Sequence, residues 1–298
     1  MIKEIPVVLG TAGFGTSICQ KDAWAILDKY ASLGGRIIDT ANNYAFWHPK
    51  GRGGDSESVI GNWLEKNDRS AFTIMTKIGS QPVALEEDIH HMEGLSPEAV
   101  HSAVNRSLTR LKTEYIDILL AHHDDKNTPI RATWESFTKL IATGKVKKVG
   151  VSNYQPERIV ALANTVLEYD LAPVDVVQLK HSIISPMPTA DFGQLILLDK
   201  EMKETLKKYL PDAVIFGYSV LLGGLFEKGV EDEWPPEYDS VQNRRKVREI
   251  QRKAKELGIS PSAYVLKQIA NQGVLPITTT GKVERLELNM KLFCSKSG

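Results

Sequence analysis

Acid-base side chains follow several of the short apolar segments in this 298-residue chain. In the stretch RIIDTANNY, Arg36 to Tyr44, two isoleucines are followed at once by the carboxylate of Asp39, and the tyrosine comes five residues later. Five further apolar segments end in a polar functional group: Lys77, His122, Ser152 with Asn153, Gln178, and Tyr218. One such residue would be unremarkable, but six in succession indicate that these segment ends form a common site.

Tyrosine, lysine and aspartate together can form a proton-donating group. A tyrosine hydroxyl has a pKa near 10 and exchanges protons poorly at neutral pH unless a neighbouring positive charge favours its ionised form. Lys77 is the candidate for that charge, and a buried ammonium needs a carboxylate partner, which Asp39 supplies. An imidazole at His122 could orient a carbonyl group or pass a proton. We therefore expect Tyr44, in the loop after Asp39, to swing over the site.

The elements that must position these groups alternate regularly along the chain. Eight short segments have the pattern of strands: Pro6–Gly10, Arg36–Asp39, Phe72–Lys77, Asp117–His122, Val146–Ser152, Asp175–Leu179, Ala213–Ser219 and Val274–Thr278. Helical patterns lie between them, and eight strand-then-helix units in about 300 residues predict a (β/α)8 TIM barrel, an α/β fold whose C-terminal strand ends converge at the active site. A doubly wound open sheet is the alternative, but no GxGxxG motif opens the first helix.

Helix ends are marked by capping residues. Ser96 and Ser260 are each expected to be an N-cap, because Pro97 and Pro261 follow at the first helical position. Gly273 is expected to end the second of these helices. The other predicted helices are Ala23–Leu33, Glu57–Lys66, Ile130–Ala142, Pro156–Tyr169, Lys200–Tyr209 and Arg244–Leu257. Two loops are unusually long and are candidates for binding segments: Ala45–Asp55 and Glu227–Asn243.

Composition narrows the classes of partner. Lys plus Arg and Asp plus Glu number 37 each, so no net charge attracts nucleic acid or an anionic membrane, and small molecules are the expected partners. The two cysteines, Cys19 and Cys294, are too few for a disulfide framework and wrongly spaced for a zinc site. With no cleavable apolar leader and no stretch of about 20 apolar residues, a cytoplasmic protein is expected.

The separated motifs together resemble one family. The segments IIDTANNY, TIMTK, YIDILLAH, GKVKKVGVSN, VVQ and GYSVLLGGL occur in the order and barrel positions of the aldo-keto reductases, and the similarity covers essentially the whole chain. The resemblance implies one barrel over residues 1–298 that transfers a hydride between a nicotinamide and a carbonyl or alcohol carbon. It also implies a catalytic tetrad, with Tyr44 as general acid or base, Lys77 and Asp39 tuning it, and His122 polarising the carbonyl.

Cofactor positions are carried over from the same resemblance. The positions that contact the carboxamide are Ser152, Asn153 and Gln178. Tyr218 matches the aromatic residue that stacks under the nicotinamide ring. In the pyrophosphate loop, small residues let backbone amides approach phosphate, and its matching positions are Ser219, Leu221 and Gly223. The first loop contributes Gly10 and Thr11.

One departure from the family concerns the choice between NADP and NAD. Thr279 occupies the position where many members place a cation for the 2′-phosphate of NADP, and Leu288 replaces the usual carboxamide or carboxylate. The remaining candidates for this subsite and the adenine are Thr280, Lys282, Arg285 and Asn289. Because hydroxyl and cationic groups at a helix start can hold a phosphate dianion, NADP is expected, with NAD as the alternative.

The substrate is less legible in the sequence. Phe46 and Trp47 in the long loop after strand two, together with His123, are expected to contact it, and their mixture of aromatic and polar groups suggests a polyhydroxylated substrate such as a sugar. We prefer His122 to His123 for the tetrad because His122 matches the family and shares a strand face with Ile118 and Leu120, whereas consecutive strand residues point oppositely. His123 is then expected to serve packing or to add polarity to the substrate loop.

Other readings remain open beside this one. A metal-dependent barrel hydrolase is suggested by a cluster of potential ligands, although adjacent strand histidines diverge and no HxH or HExxH spacing occurs: His90, His91, His122, His123, Asp124 and Asp125. A regulatory subunit that binds cofactor with little turnover is a second alternative. Asp39 with Lys77 could be only a structural ion pair, Ser152 with Asn153 only a turn, and Tyr218 only a core aromatic. No heptad pattern predicts an oligomer, so a monomer is expected by default.

Overall fold

Eight parallel strands form a closed barrel in the computed structural model, which describes residues 6–84, 88–229 and 232–293 and, for 88–90, the backbone alone. In chain order the strands are β1 (Val8–Gly10), β2 (Ile37–Asp39), β3 (Thr73–Ile78), β4 (Pro82–Ala84), β5 (Asp88–Met92), β6 (Ile116–Ala121), β7 (Val146–Ser152), β8 (Val176–Lys180), β9 (Val214–Tyr218) and β10 (Val274–Thr278). The barrel order is β1-β10-β9-β8-β7-β6-β3-β2, whereas β4 and β5 form a separate antiparallel hairpin. The predicted (β/α)8 architecture is confirmed.

Helices surround this barrel. They are α1 (Gln20–Ser32), α2 (Asp55–Leu64), α3 (Pro97–Leu111), α4 (Ile130–Ala142), α5 (Pro156–Glu168), α6 (Lys200–Tyr209), α7 (Val241–Glu256), α8 (Pro261–Ala270) and α9 (Val283–Met290). Both predicted N-caps are confirmed, because Ser96 Oγ accepts a hydrogen bond from Ala99 N at 3.2 Å and Ser260 Oγ one from Ala263 N at 3.1 Å. Each cap satisfies an amide that would otherwise lack a partner in the first helical turn.

Two apolar layers hold the helices and the barrel together. The larger cluster lies between strands and helices and includes Trp63, Trp134 and Phe137. The smaller one fills the barrel interior, and its buried members are Val8, Ile37, Met75, Ile118, Leu120, Val176, Phe216 and Ile277. Strand side chains alternate between the two faces, so the residue two positions further along a strand faces the interior again, one layer nearer the C-terminal mouth.

This period of two explains why apolar strands end in polar groups. Seven interior apolar residues precede a candidate site residue by two positions, and the residues they precede are Gly10, Asp39, Lys77, His122, Gln178, Tyr218 and Thr279. The interior core therefore forms the floor of the site, and the next layer of side chains faces the mouth, where active sites of this architecture lie.

Two features among the strands and α-helices named above were not predicted. The hairpin β4–β5 joins Pro82 to Met92 and Ala84 to Asp88, and its sequence has neither an Asn-Gly or Asp-Gly turn nor clean alternation of apolar and polar residues. Helix α9 was predicted only as a helix start near Arg285. Cys294 and residues 85–87 of the hairpin connection lie outside the described residues. Among the described helices, none is long and apolar enough to cross a bilayer.

Candidate active site

A buried ion pair joins the ends of β2 and β3. Asp39 Oδ1 lies 2.8 Å from Lys77 Nζ, and the side chains of these residues are 4% and 0% exposed. The ammonium also donates to the backbone oxygen of Thr40 at 2.7 Å and to Tyr44 Oη at 3.0 Å. Gln178 Nε2 donates to the same Asp39 Oδ1 at 2.9 Å. Each polar group of the unit is therefore hydrogen-bonded, which is the condition for keeping charges inside a barrel.

The turn after β2 brings Tyr44 back toward Lys77. Asn42 N donates to the backbone oxygen of Lys77 at 2.9 Å, so pairing with β3 continues beyond the end of β2. Tyr44 N donates to Ala41 O at 3.2 Å and closes the turn. The Asn43 side chain donates to Ser80 O at 2.9 Å and fastens the turn to the chain after β3. The position of the tyrosine is thus set by local backbone bonds.

The protonation states of this unit follow from burial and charge. Burial raises the pKa of Tyr44 above its usual value of 10.0, and the Lys77 ammonium opposes that shift without cancelling it. Burial by itself lowers the pKa of Lys77, but Asp39 and Tyr44 outweigh it, so the lysine pKa lies above 10.5. At neutral pH the site therefore holds a charged lysine against a protonated phenol. The ammonium alone would lower the tyrosine pKa, as the sequence predicted, but desolvation of the buried phenol outweighs it.

His122 and His123 lie side by side at the mouth. Their ring centres are 4.9 Å apart with planes 21° from parallel, and the ring centre of His122 is 5.9 Å from that of Tyr44. The expectation that these histidines diverge was wrong, because strand pairing continues to His122, whose N donates to Ile78 O at 2.9 Å, whereas the alternation of strand faces does not continue to His123. Both rings line the same cleft.

Both imidazoles are neutral near pH 7. Burial, the Lys77 ammonium and His123 hold the pKa of His122 well below 6.5. Burial and Lys77 lower the pKa of His123 to about 4. His122 Nδ1 is buried and has no hydrogen-bond partner within the described part of the chain, whereas His123 Nδ1 lies 2.8 Å from Ser80 Oγ.

One large cleft of about 1310 Å³ unites most of the predicted positions. The predicted residues that line it are Gly10, Thr11, Asp39, Tyr44, Phe46, Trp47, His122, His123, Ser152, Asn153, Gln178, Tyr218, Ser219, Leu221, Gly223, Thr279, Thr280, Arg285 and Asn289. Lys77 is fully buried beneath this wall. Lys282 is exposed at the start of α9 and is not among the lining residues.

The side chain of Asn153 is occupied by contacts within the chain. It adopts the left-handed backbone conformation, with φ of 56°, which asparagine tolerates better than most residues. Its Oδ1 accepts hydrogen bonds from Tyr218 Oη at 2.6 Å and from Ile196 N at 3.2 Å, and its Nδ2 donates to His122 O at 3.2 Å. Asn153 therefore links the wall that carries Tyr218 to the segment that carries His122.

Several lining residues were not predicted. They include Ser80, Met92, Gln194, Leu195, Glu227 and Ser262. Met92 belongs to the unpredicted hairpin, and Gln194 and Leu195 belong to the irregular segment after β8, which has no period to read. Ser80, three residues after Lys77, could have been found by extending the search beyond strand ends.

Comparison with known proteins identifies the family. The sequence profile of the Aldo/keto reductase family matches residues 6–296. The chain belongs to the aldo-keto reductase family. This match and the fold together support an oxidoreductase that uses a nicotinamide cofactor and acts on small carbonyl compounds.

The relatives of this aldo-keto reductase differ in the share of their length that aligns with this chain. The chain is 27% identical to an aryl-alcohol dehydrogenase, GME11368, of Pestalotiopsis microspora, over 97% of this chain and 75% of the relative. It is 31% identical to the norsolorinic acid reductase stcV of Emericella nidulans, over 55% of this chain and 43% of the relative, so that match spans less than half of the fungal protein. A crystal structure assigned as a 2,5-diketo-D-gluconic acid reductase B superposes with a TM-score of 0.70 at 17% identity, covering 97% of this chain and 82% of that one, and supports the fold.

Metal ligation was a separate alternative for the histidine-rich segment. Within the part of the chain whose side chains are described, no group of three or more His, Cys, Asp or Glu residues is arranged to hold a metal ion. Instead, Asp124 pairs with Arg158 at 2.7 Å, and Asp125 accepts a hydrogen bond from Leu95 N at 2.8 Å. These carboxylates are thus engaged in structural contacts.

Proposed function

We propose that this chain interconverts a small neutral carbonyl compound and its alcohol, with Tyr44 as the proton donor in reduction and the proton acceptor in oxidation. The observation that carries the proposal is the chain of contacts from Asp39 Oδ1 through Lys77 Nζ to Tyr44 Oη, with distances of 2.8 and 3.0 Å. A purely structural ion pair would not need a phenol against the ammonium. Here the ammonium lies beneath a phenol at the wall of the cleft, where the phenol can exchange a proton with a bound molecule.

The cleft has features that fit a nicotinamide dinucleotide. Thr278 Oγ1 is buried in its wall with no partner among the described residues. A Cβ added to Gly10, at the end of β1, would lie 2.8 Å from Thr279 Oγ1, so this position has no room for a side chain. Gly223 and Gly224 adopt left-handed backbone conformations with open space around them. These features support assigning the cofactor-holding role to Gln178, Tyr218, the 219–224 loop and Arg285.

When bound, the nicotinamide supplies or accepts the hydride. The chain's own residues manage the proton. In reduction the Tyr44 hydroxyl gives its proton to the carbonyl oxygen as the carbon gains the hydride, and the resulting phenolate is stabilised by the adjacent Lys77 ammonium. In oxidation the phenolate takes the alcohol proton. Asp39 remains ionised throughout and keeps the ammonium in place.

His122 orients the reacting oxygen. Its Nδ1 is enclosed by the protein with no acceptor among the residues that the structure describes, so the tautomer with hydrogen on Nε2 avoids a buried unpaired N–H group. That N–H can donate to the carbonyl oxygen from beside Tyr44, whose ring centre is 5.9 Å away. A neutral imidazole suits this task because it donates a hydrogen bond without competing with Tyr44 as the acid.

NADP is the preferred cofactor in this proposal. Arg285 lines the cleft next to Thr279 and Thr280, and it can pair with a 2′-phosphate. Lys282, which the sequence also suggested, is the weaker candidate because its side chain does not line the cleft. Asn289, buried at the same end, is a candidate for the adenine. NAD is the alternative.

The substrate end favours a neutral compound with a flat or polyhydroxylated body. Tyr44, Trp47 and Phe46 meet edge to face, with ring centres 5.6 and 5.4 Å apart. Ser80 and His123 add polar groups. The name of one relative, an aryl-alcohol dehydrogenase, agrees with an aromatic substrate, whereas the sequence suggested a sugar. Aryl alcohols and simple sugars are both neutral carbonyl or alcohol compounds.

The Tyr44→Phe variant tests the proposal. We expect kcat/KM for reduction of a reactive aldehyde to fall by about 10² to 10⁴, the usual contribution of general acid catalysis, because phenylalanine has no proton to give. Cofactor affinity, measured by fluorescence titration, should stay close to that of the wild type. Tyr169→Phe on the outer surface is the matched control and should keep full activity. If the wild-type protein bound cofactor but reduced no carbonyl compound, it would be a regulatory subunit and the proposal would be wrong.

A further inference from the structure

His123 is held so that one ring nitrogen stays available. Its Nδ1 lies 2.8 Å from the hydroxyl of Ser80, which is itself only 5% exposed. Ser80 is fixed in turn, since its backbone oxygen accepts a hydrogen bond from the Asn43 side chain at 2.9 Å. His123 lines the cleft, so Nε2 is the nitrogen left for a bound molecule.

His122 presents the same edge from the neighbouring position. Its Nδ1 is enclosed, which leaves Nε2 for the cleft. The rings stack with centres 4.9 Å apart, so two hydrogen-bonding edges stand one ring spacing from each other. In the proposed function the reacting oxygen uses only the His122 edge, so the His123 edge is left for another group of the substrate.

The electrostatics of the pair select against charged groups. Both imidazoles are neutral at pH 7, because burial and Lys77 lower their pKa values. A carboxylate or phosphate placed against them would lose its hydration without gaining a free counter-charge, because the Lys77 ammonium is already paired with Asp39. A hydroxyl fits better. It can donate and accept, so it pairs with Nε2 of His123 whichever tautomer Ser80 selects.

We propose that the preferred substrate carries a hydroxyl group beside its reacting carbonyl, and that His123 Nε2 binds this hydroxyl while Tyr44 and His122 hold the carbonyl oxygen. This inference rests on the proposed function and specifies its substrate class. Two kinds of compound share the chemistry: α-hydroxy aldehydes of the sugar type, and aryl carbonyls with an ortho hydroxyl, whose ring would lie against Trp47 and Phe46.

Matched substrate pairs test the inference. The aromatic arm compares 2-hydroxybenzaldehyde with benzaldehyde and uses 4-hydroxybenzaldehyde to correct for the electronic effect of the phenol. The aliphatic arm compares lactaldehyde with propanal. We expect the wild type to favour the adjacent hydroxyl in at least one arm by about tenfold in kcat/KM, the size of one hydrogen bond of about 1.4 kcal/mol.

Variants then locate the source of the preference. His123→Phe keeps a ring to stack on His122 but removes both nitrogens, and it should abolish the tenfold ratio. Ser80→Ala leaves the imidazole in place without its anchor and should reduce the ratio in part. His101→Phe, on the exposed face of α3, is the matched control and should leave the ratio unchanged.

Each outcome bears on one proposal. No preference in either arm, or a preference that persists unchanged in His123→Phe, overturns the role of His123. Failure of the proposed function looks different, since then none of the five aldehydes would be reduced by the wild type with NADPH or NADH. Thermal unfolding of each variant confirms that the folded proteins are being compared.

Discussion

Gln178 Nε2 donates a hydrogen bond to Asp39 Oδ1 from the opposite side of the barrel, at 2.9 Å. The same oxygen lies 2.8 Å from Lys77 Nζ, so one carboxylate oxygen serves both the proton-donating unit and a residue of the proposed cofactor wall. Within the described residues the Gln178 Oε1 atom has no partner. A single carboxylate can therefore set the orientation of the amide that would meet the cofactor.

The Asp39–Lys77 pair should show strong coupling in a double-mutant cycle. Either Asp39→Asn or Lys77→Met alone leaves an uncompensated buried group and should lower the free energy of unfolding by about 3–5 kcal/mol, whereas the double variant should lose much less than the sum. Urea unfolding measures each value. The exposed pair Arg131–Glu135 on α4 is the control, with a coupling of about 0.5 kcal/mol or less. Additive losses at Asp39 and Lys77 would contradict this prediction.

The two reaction directions should depend differently on pH. Because the pKa of Tyr44 is raised above 10, the acid form that reduction needs is present throughout the neutral range, so kcat/KM for reduction should stay level from about pH 6.5 to 9. Oxidation needs the phenolate and should quicken by about tenfold per pH unit over the same range, before levelling near the tyrosine pKa. A bell-shaped reduction profile centred near pH 6.5 would instead assign the proton to a histidine.

Arg285 should distinguish the cofactors. If it pairs with the 2′-phosphate, Arg285→Ala should raise KM for NADPH by about 10- to 100-fold, the size of a charge-assisted hydrogen bond, and leave KM for NADH nearly unchanged. Lys282→Ala, at the exposed start of the same helix, is the matched comparison and should change KM for NADPH by no more than a few-fold. Equal or better kcat/KM with NADH in the wild type would refute the preference for NADP.

Acid should destabilise the fold through His181. Burial lowers the pKa of this residue to about 4, below the unfolded value near 6.5. Because the unfolded chain then binds more protons, this contribution to stability is complete above pH 6.5 and is lost as the pH falls toward 4. In His181→Asn the slope of unfolding free energy against pH between 6 and 4.5 should decrease by about 1 kcal/mol per unit. An unchanged slope would show that other groups take up the protons.

Strand ends were predictable because the interior layer has a period of two. Ile37 and Asp39 are separated by one residue, as are Phe216 and Tyr218. A polar residue two positions after an interior apolar residue therefore indicates a side chain at the mouth of the barrel. Helix starts were predictable for a local reason as well. Ser96 is an N-cap through a bond to Ala99, only three residues away.

Features that depend on distant partners were not predictable. The stacking of His122 and His123 depends on where β6 ends. That end is set by the pairing of β6 with its neighbouring strands and not by the two histidines themselves. The raised pKa of Tyr44 depends on total burial, which no local pattern measures. The β4–β5 hairpin is fastened by Glu93, which bonds Asn42 and pairs with Arg106 of α3, and these contacts join three separated parts of the chain.

The hairpin segment and the barrel strands contribute different residues to the site. Met92 and Ser80 reach the cleft from the segment between β3 and α3, whereas Asp39 and Lys77 belong to the strands themselves. A hairpin of foreign sequence could replace residues 82–92 while Glu93 keeps its hydrogen bond with Asn42, so that Asp39, Lys77 and the turn that carries Tyr44 stay in place. Substrate selectivity can thus be changed through this hairpin alone. Laboratory evolution restricted to the hairpin should broaden or redirect the range of accepted substrates with little loss of proton transfer by Tyr44.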